Sequence, residues 1–164
     1  MANKDAVKER KEDDLEEKVL YINRCSKVVK GGRKFSFSAL IVVGDGNGKV
    51  GVGFGKANEV SDAIRKASGN ARKALAPFVM EGTTIPHEAN ETFDGAQVFL
   101  KPAKEGTGII AGSLIRSVLE VSGVRDVVAK NLGANNPFNM VRATIKALFT
   151  MRDREETLKY RNAS

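Results

Sequence analysis

The thirteen residues GDGNGKVGVGFGK (Gly44–Lys56) hold six glycines and two lysines, and two readings compete for them. A phosphate-cradling loop of the Walker type requires G-x-x-x-x-G-K-[ST], with the hydroxyl on magnesium. Neither Gly48-Lys49 nor Gly55-Lys56 has a glycine five positions before the pair, and the residues that follow are Val50 and Ala57, which cannot ligate a metal. A G-x-G-x-x-G does occur at Gly46, Gly48 and Gly51. A dinucleotide fingerprint must open into a helix, however, and here Val and Gly alternate as in a strand. The stretch therefore reads as a hairpin. Asp45-Gly46 and Asn47-Gly48 are strong turn dipeptides, with Gly46 and Gly48 supplying positive φ. Alternate residues of a strand point to opposite faces, so Val50, Val52 and Phe54 share one face. Gly51, Gly53 and Gly55 leave the other face bare, open to close approach by a helix. Lys49 and Lys56 flank the strand, where they can reach an external polyanion.

Working outward, KVLYINRCSKVV and RKFSFSALIVV read as two further strands, turned by Lys30-Gly31-Gly32. On the other side, ANEVSDAIRKASGNARKALAPF takes up helical spacing, apolar at Val60, Ile64, Ala67, Ala71 and Leu75, with Pro77 closing the helix. Three strands and one helix make a first unit over residues 15–80. EGTTIPHEANETFDGA is polar and turn-rich, and reads as the passage into a second unit over residues 81–150. That unit runs through a strand (AQVFLKPA), a glycine-rich loop (KEGTGIIAGS) and a helix (SLIRSVLEVSG) with apolar spacing at Leu114, Val118 and Val121. A strand (VRDVVAKNLG) and a helix (NNPFNMVRATIKALFTM) follow, with Asn136 as candidate cap and Pro137 at the first helical position. The fold class is α+β, in two small domains, the second a βαβα unit. Residues 1–14 read as a flexible N-terminal tail and residues 151–164 as a C-terminal tail.

The chain of 164 residues carries 27 Lys and Arg against 20 Asp and Glu, a net charge of +7. The excess belongs to one half: residues 15–80 hold twelve bases and five acids, and Lys18 to Gly44 holds six bases and no acid. Such a balance favours a polyanionic partner, nucleic acid above all. A single cysteine, Cys25, excludes an internal disulfide, and a single histidine, His87, excludes a histidine pair for metal binding or charge relay. The acids are scattered without a general-acid pair, so neither an enzyme nor a cofactor is implied. The opening MANKDAVKERKEDDLEEK has no apolar core of the secretory kind, and no apolar run approaches the roughly 20 residues of a membrane span. A soluble, cytoplasmic protein is expected. The second glycine-rich stretch, KEGTGIIAGSLIR, precedes a helix, and helix N-termini attract anions. Its residues alone leave phosphate binding and tight packing against a partner equally open.

INRCSKVVKGGRKFSFSALIVVGDGNGKVGVGFGKANEV closely resembles the signature region of the bacterial small-subunit ribosomal protein five family. TIPHE, LKPAKEGTGIIAG, VRDVVAKNLG and NNPFNMVRATIKAL resemble the same family in the same order, so the match spans roughly residues 15 to 150. The resemblance implies a first domain similar to the double-stranded-RNA-binding domain, lacking that module's first helix. It implies a non-catalytic protein that binds small-subunit ribosomal RNA and holds the head of the subunit relative to the body. It further implies contacts with ribosomal proteins four and eight, a place with proteins three and four along the messenger-RNA entry path, and an influence on translational accuracy. SKVVKGGRKF aligns with the family's RNA-reaching hairpin, which makes Lys27, Lys30, Gly31, Gly32 and Arg33 the foremost RNA contacts, with Arg24, Lys49 and Lys56 behind them. EGTGIIAGSLIR aligns with the face toward protein four, placing Gly108 and Arg116 at a protein interface. The family more often has a small apolar residue at the position of Cys25, and a second glycine at that of Ser113. The competing reading is a stand-alone double-stranded-RNA-binding regulator. Such modules place lysines at the start of the final helix, whereas this helix starts with the acidic ANEVSD.

Overall fold

The computed structural model describes residues 15–162, so the expected N-terminal tail lies outside the described residues. Two four-stranded sheets carry the fold. The first has β1 (Glu16–Val29), β2 (Gly32–Gly44), β3 (Lys49–Ala57) and β4 (Ala76–Pro77) side by side in chain order, all antiparallel, with α1 (Val60–Lys73) joining β3 to β4. The second has β5 (Ala89–Phe93), β6 (Ala96–Pro102), β7 (Ile109–Ile110) and β8 (Val127–Asn131) in the order β5-β6-β8-β7. There β7 runs parallel to β8, and α2 (Ser113–Ser122) is the crossover between them. Then come α3 (Pro137–Phe149) and α4 (Arg154–Asn162). The α+β class and the helix–strand order of the second unit stand as the sequence predicts.

The glycine strand does what its alternation implies. A Cβ on Gly51, Gly53 or Gly55 would collide with the backbone of Ala71, Ala67 or Ala63 respectively, so α1 lies directly on bare β3. The buried row of the helix is Ala63, Ala67 and Ala71, not the predicted stripe that included Val60, Ile64 and Leu75, which are only partly covered. Size decides here rather than hydrophobicity: where two backbones touch, only alanine fits between them.

Val42 and its neighbours explain the unbroken apolar run of β2. Ala39, Ile41 and Val43 face α1, while Leu40 and Val42 face α2 and the core of the second unit. A strand covered on both sides loses its polar alternation. The larger core is continuous across both sheets, joining Leu40, Val42, Val50 and Val52 to Val98, Leu100, Val118, Val141 and Leu148.

Between β2 and β3, the GDGNG turn is itself a docking element. Asp45 Oδ1 accepts hydrogen bonds from the N–H groups of Asn47 (2.9 Å) and Lys49 (3.0 Å). The outward N–H groups of Gly46 and Gly48 donate to the carbonyls of Val121 (3.2 Å) and Ser122 (3.1 Å), at the C-terminal end of α2. Helix ends leave carbonyls without intrahelical partners, and this turn satisfies two of them. Gly46 and Gly48 have φ of 65° and 90°, as the turn dipeptides predict.

Four elements depart from the sequence reading, among them the two-residue β7 within the stretch read as a glycine-rich loop. The polar passage contains β5, an edge strand whose Asn90, Glu91 and Thr92 suit one-sided pairing with β6. Pro77 lies in the edge strand β4 rather than at the end of α1, which stops at Lys73; at an edge, the missing N–H costs no ladder bond. The stretch expected as a C-terminal tail carries α4, and His87 anchors the approach to it, its Nε2 accepting from the N–H of Arg152 at 3.1 Å. Asn136 caps α3 as expected, accepting from the Phe138 N–H with Pro137 next in line.

Candidate nucleic-acid interface

β1 pairs with β2 along its whole length to Val29↔Gly32, whereas β3 covers β2 only from Phe37 to Gly44. The outer five residues of β2 therefore project with their β1 partners as a free two-stranded ribbon, about 16 Å long at the rise of an extended strand. The opposite end of β1, beside the GDGNG turn, is tied to α1 and α2. Glu17 accepts from the Ser68 hydroxyl at 2.7 Å and from Arg72 at 2.8 and 2.9 Å, which holds its carboxyl below the ordinary carboxylate value. Lys18 Nζ meets Glu120 on α2 at 2.6 Å.

Directly opposed residues of an antiparallel pair share a face, so the register distributes the cations. Lys27 stands opposite Lys34 on one face, and Arg33 stands opposite Val28 on the other. Arg24 pairs with Phe37 and stacks its guanidinium 3.7 Å above the Phe35 ring. Stacking of this kind holds the fork in place while leaving its N–H edge free for a phosphate. Lys30, Gly31 and Gly32 form the tip; nothing lies within 4 Å of a Cβ built on Gly31 or Gly32, and Gly32 has a φ of 131°. Val28 at the tip is 75% exposed, an apolar side chain set among bases.

The predicted contacts do not all gather there. Arg24, Lys27, Lys30, Gly31, Gly32 and Arg33 share the ribbon. Lys56 lies at the root, opposite Ser38, with its ammonium 5.5 Å from the Phe54 ring. Lys49 is at the far end of the sheet beside the GDGNG turn, 3.9 Å from Asp45. Sequence reasoning passed over Lys34 and Phe35. The two-residue turn fixes the register, and counting outward from it sets Lys34 against Lys27.

Gly108, in the loop before β7, and Arg116, on α2, lie apart from the ribbon. Gly108 has a φ of 75° and its N–H donates to Asp126 Oδ1 at 2.9 Å. Arg116 Nη2 donates to the Ile109 carbonyl at 2.9 Å. The N–H groups of Gly106 and Thr107 also favour the ionised Asp126, whose carboxyl is held below its ordinary value first by Gly108, then by Thr83. An internal carboxylate thus occupies the anion-binding concavity that the glycine-rich stretch offers. Cys25 is an exposed free thiol on the ribbon. Among the described residues no group of acidic, histidine and cysteine side chains could hold a metal, and no helix is long and apolar enough to cross a membrane.

The sequence that forms this ribbon and the second unit is matched in known proteins. Residues 15–78 match the family described as ribosomal protein S5, N-terminal domain, and residues 91–161 match ribosomal protein S5, C-terminal domain. The small ribosomal subunit protein uS5 of Protochlamydia amoebophila is 62% identical over 149 residues, which cover 91% of this chain and 89% of that protein. The proteins of the same name from Chlamydia abortus and Chlamydia felis are 61% and 59% identical over 155 residues, covering 94% of both chains in each case. With both halves matched in order and identity near 60% over most of its length, the chain belongs to the ribosomal protein S5 family.

Proposed function

We propose that this chain is a structural, ribosomal-RNA-binding constituent of the small ribosomal subunit, working in the cytoplasm, with the β1–β2 ribbon as its principal RNA contact. Its family is one of structural components rather than catalysts. The observation that carries the reading is the ribbon itself. Lys27 and Lys34 stand on one face and Arg24 and Arg33 on the other, so phosphates can be neutralised on both sides of an inserted hairpin. Open space around Gly31 and Gly32 supports their role, since nothing inside the protein requires a glycine at Gly31 and an RNA backbone can come close. Lys56 and Lys49 then act as peripheral phosphate contacts at the root and at the far end of the sheet.

The finer role follows the family. The protein holds head and body of the subunit together, contacts proteins four and eight, lines the messenger-RNA entry path with proteins three and four, and thereby bears on accuracy. The loop stiffened by Asp126 and Arg116, with Ile110 exposed beside it, supports a protein interface at Gly108 and Arg116, toward protein four.

Sedimentation of lysate with and without ribonuclease tests the assembly: the chain is expected to travel with small subunits through a moderate salt wash and to be released by ribonuclease. Lys27→Ala combined with Lys30→Ala tests the ribbon. Each lost phosphate contact should flatten the log–log salt dependence of RNA binding by about 0.7 to 0.9. An unchanged slope would remove the ribbon from the RNA interface.

A further inference from the structure

On the face of the first sheet away from α1, the cover provided by the second unit ends at the start of α3. Val50 and Val52 are buried beneath it, but Phe54, next on the same face, is 38% exposed. Phe138 meets the Phe54 ring edge-on, with centroids 5.5 Å apart and planes at 69°. The two rings, with Tyr21, Asn23, Ser38 and Asn136, border a shallow notch of about 60 Å³. Asn23 and Ser38 are register partners on the notch face, and among the described residues neither side chain has a hydrogen-bond partner. Asn136 spends its oxygen on the Phe138 N–H, which leaves its amide N–H groups to donate. A cation stands over the outer side of each ring: Lys56 Nζ lies 5.5 Å from the Phe54 centroid, and Arg142 Cζ lies 5.4 Å from the Phe138 centroid. No carboxylate lines the notch among the described residues.

We propose that this notch is a second RNA contact, distinct from the ribbon, which receives one unpaired base. At about 60 Å³ the notch is far smaller than enclosed small-molecule sites of about 300–1,000 Å³, so a base rests against its rim rather than inside it. The base packs against Phe54, Asn23 and Ser38 bond its edge, and Lys56 and Arg142 meet the flanking phosphates. Exposed aromatic faces interleaved with cations are the chemistry by which single strands are held. Unsatisfied amide and hydroxyl groups beside the rings add the hydrogen bonds that an unpaired base can accept or donate. The proposal rests on the RNA-binding reading but makes no use of the ribbon residues.

The test is an aromatic ¹H–¹³C NMR titration of the full chain with an unstructured ten-nucleotide RNA, and in parallel with a heparin oligosaccharide of equal charge. Saturable shifts of the Phe54 and Phe138 ring signals with RNA but not with heparin are expected. Phe54→Leu keeps an apolar side chain but removes the ring, and it should weaken single-strand binding about tenfold, within the range for one stacked base. Asn23→Ala, at an exposed position without partners, should weaken it severalfold with the fold unperturbed. Lys27→Ala with Lys30→Ala should leave the ring shifts intact, so failure of the ribbon and failure of the notch read out separately. Equal ring shifts with heparin, unchanged affinity in both notch variants, or displacement of the RNA from the rings by an acidic peptide would overturn the proposal.

Discussion

Asp126 is nine-tenths hidden yet ionised, and its effect is confined to one loop. Gly108 N–H donates to it, the Thr83 hydroxyl faces it, and the Gly106 and Thr107 N–H groups complete the ring, overcoming the burial that opposes charge. A carboxyl whose folded pKa is depressed contributes stability that is present above its unfolded value and lost as pH falls through the folded one. The unfolded reference is 3.8, so the clamp on residues 106–108 is complete at neutral pH and opens only below that value. Asp126→Asn should speed amide exchange at Gly108 about tenfold at neutral pH, the scale of losing a hydrogen bond to a charged acceptor. In the parent, Gly108 protection relative to the intrinsic exchange rate should fall as the carboxyl protonates, and that acid-dependent loss should be absent from the variant. Unaltered exchange at Gly108 would show that the loop stands without the carboxylate. Nothing in the spacing of the sequence singles out this acid, because its partners, Thr83 and residues 106–108, lie in two separate segments well before it. The ribbon cations were legible for the opposite reason: their contact is with solvent, and a run of bases without acids needs no fold to be seen.

At the scale of one element, α1 shows what hydrophobic periodicity resolves and what it does not. The spacing located the helix, but the face was chosen by contact distance, since a Cβ on Gly53 would fall within 2.4 Å of two backbone atoms of α1. Gly53→Ala is expected to destabilise the protein by about 3 kcal/mol, at the upper end for overpacking. Gly69, on the exposed side of the same helix with nothing within 4 Å, provides the contrast. Gly69→Ala should stabilise by about 0.5–1 kcal/mol through helix propensity and a less flexible unfolded chain. Thermal melts of the two variants should therefore move in opposite directions. If both melted alike, the close approach of helix and strand would be wrong. The short strands β4, β5 and β7 escaped the sequence because edge pairing demands little of a side chain: β5 is polar and β7 only two residues long.

For the whole molecule, the continuous core makes the two sheets interdependent. Leu40 and Val42 of β2 are buried against residues of the second unit, and the GDGNG turn hydrogen-bonds to the end of α2. Val42→Ala should cost about 2 kcal/mol, the methyl groups lost plus part of the cavity left behind. Native-state hydrogen exchange should register that loss equally at Ile41 in the first sheet and at Leu100 in the second. A loss confined to the first sheet would mean that the units unfold separately. The pattern of elements was readable along the chain, whereas their union was not, since a run such as ALIVV records burial on both faces without saying by what. The seam between β3 and α1 carries a further consequence for the history of such a chain. Every codon change at Gly51, Gly53 or Gly55 can only add atoms, and what those atoms strike is main chain, which no second mutation removes. Compensation by a partner residue is therefore closed off, and change there requires the helix to shift as a body. Surface and core side chains can be exchanged one at a time, whereas at this seam no single step leads to an alternative.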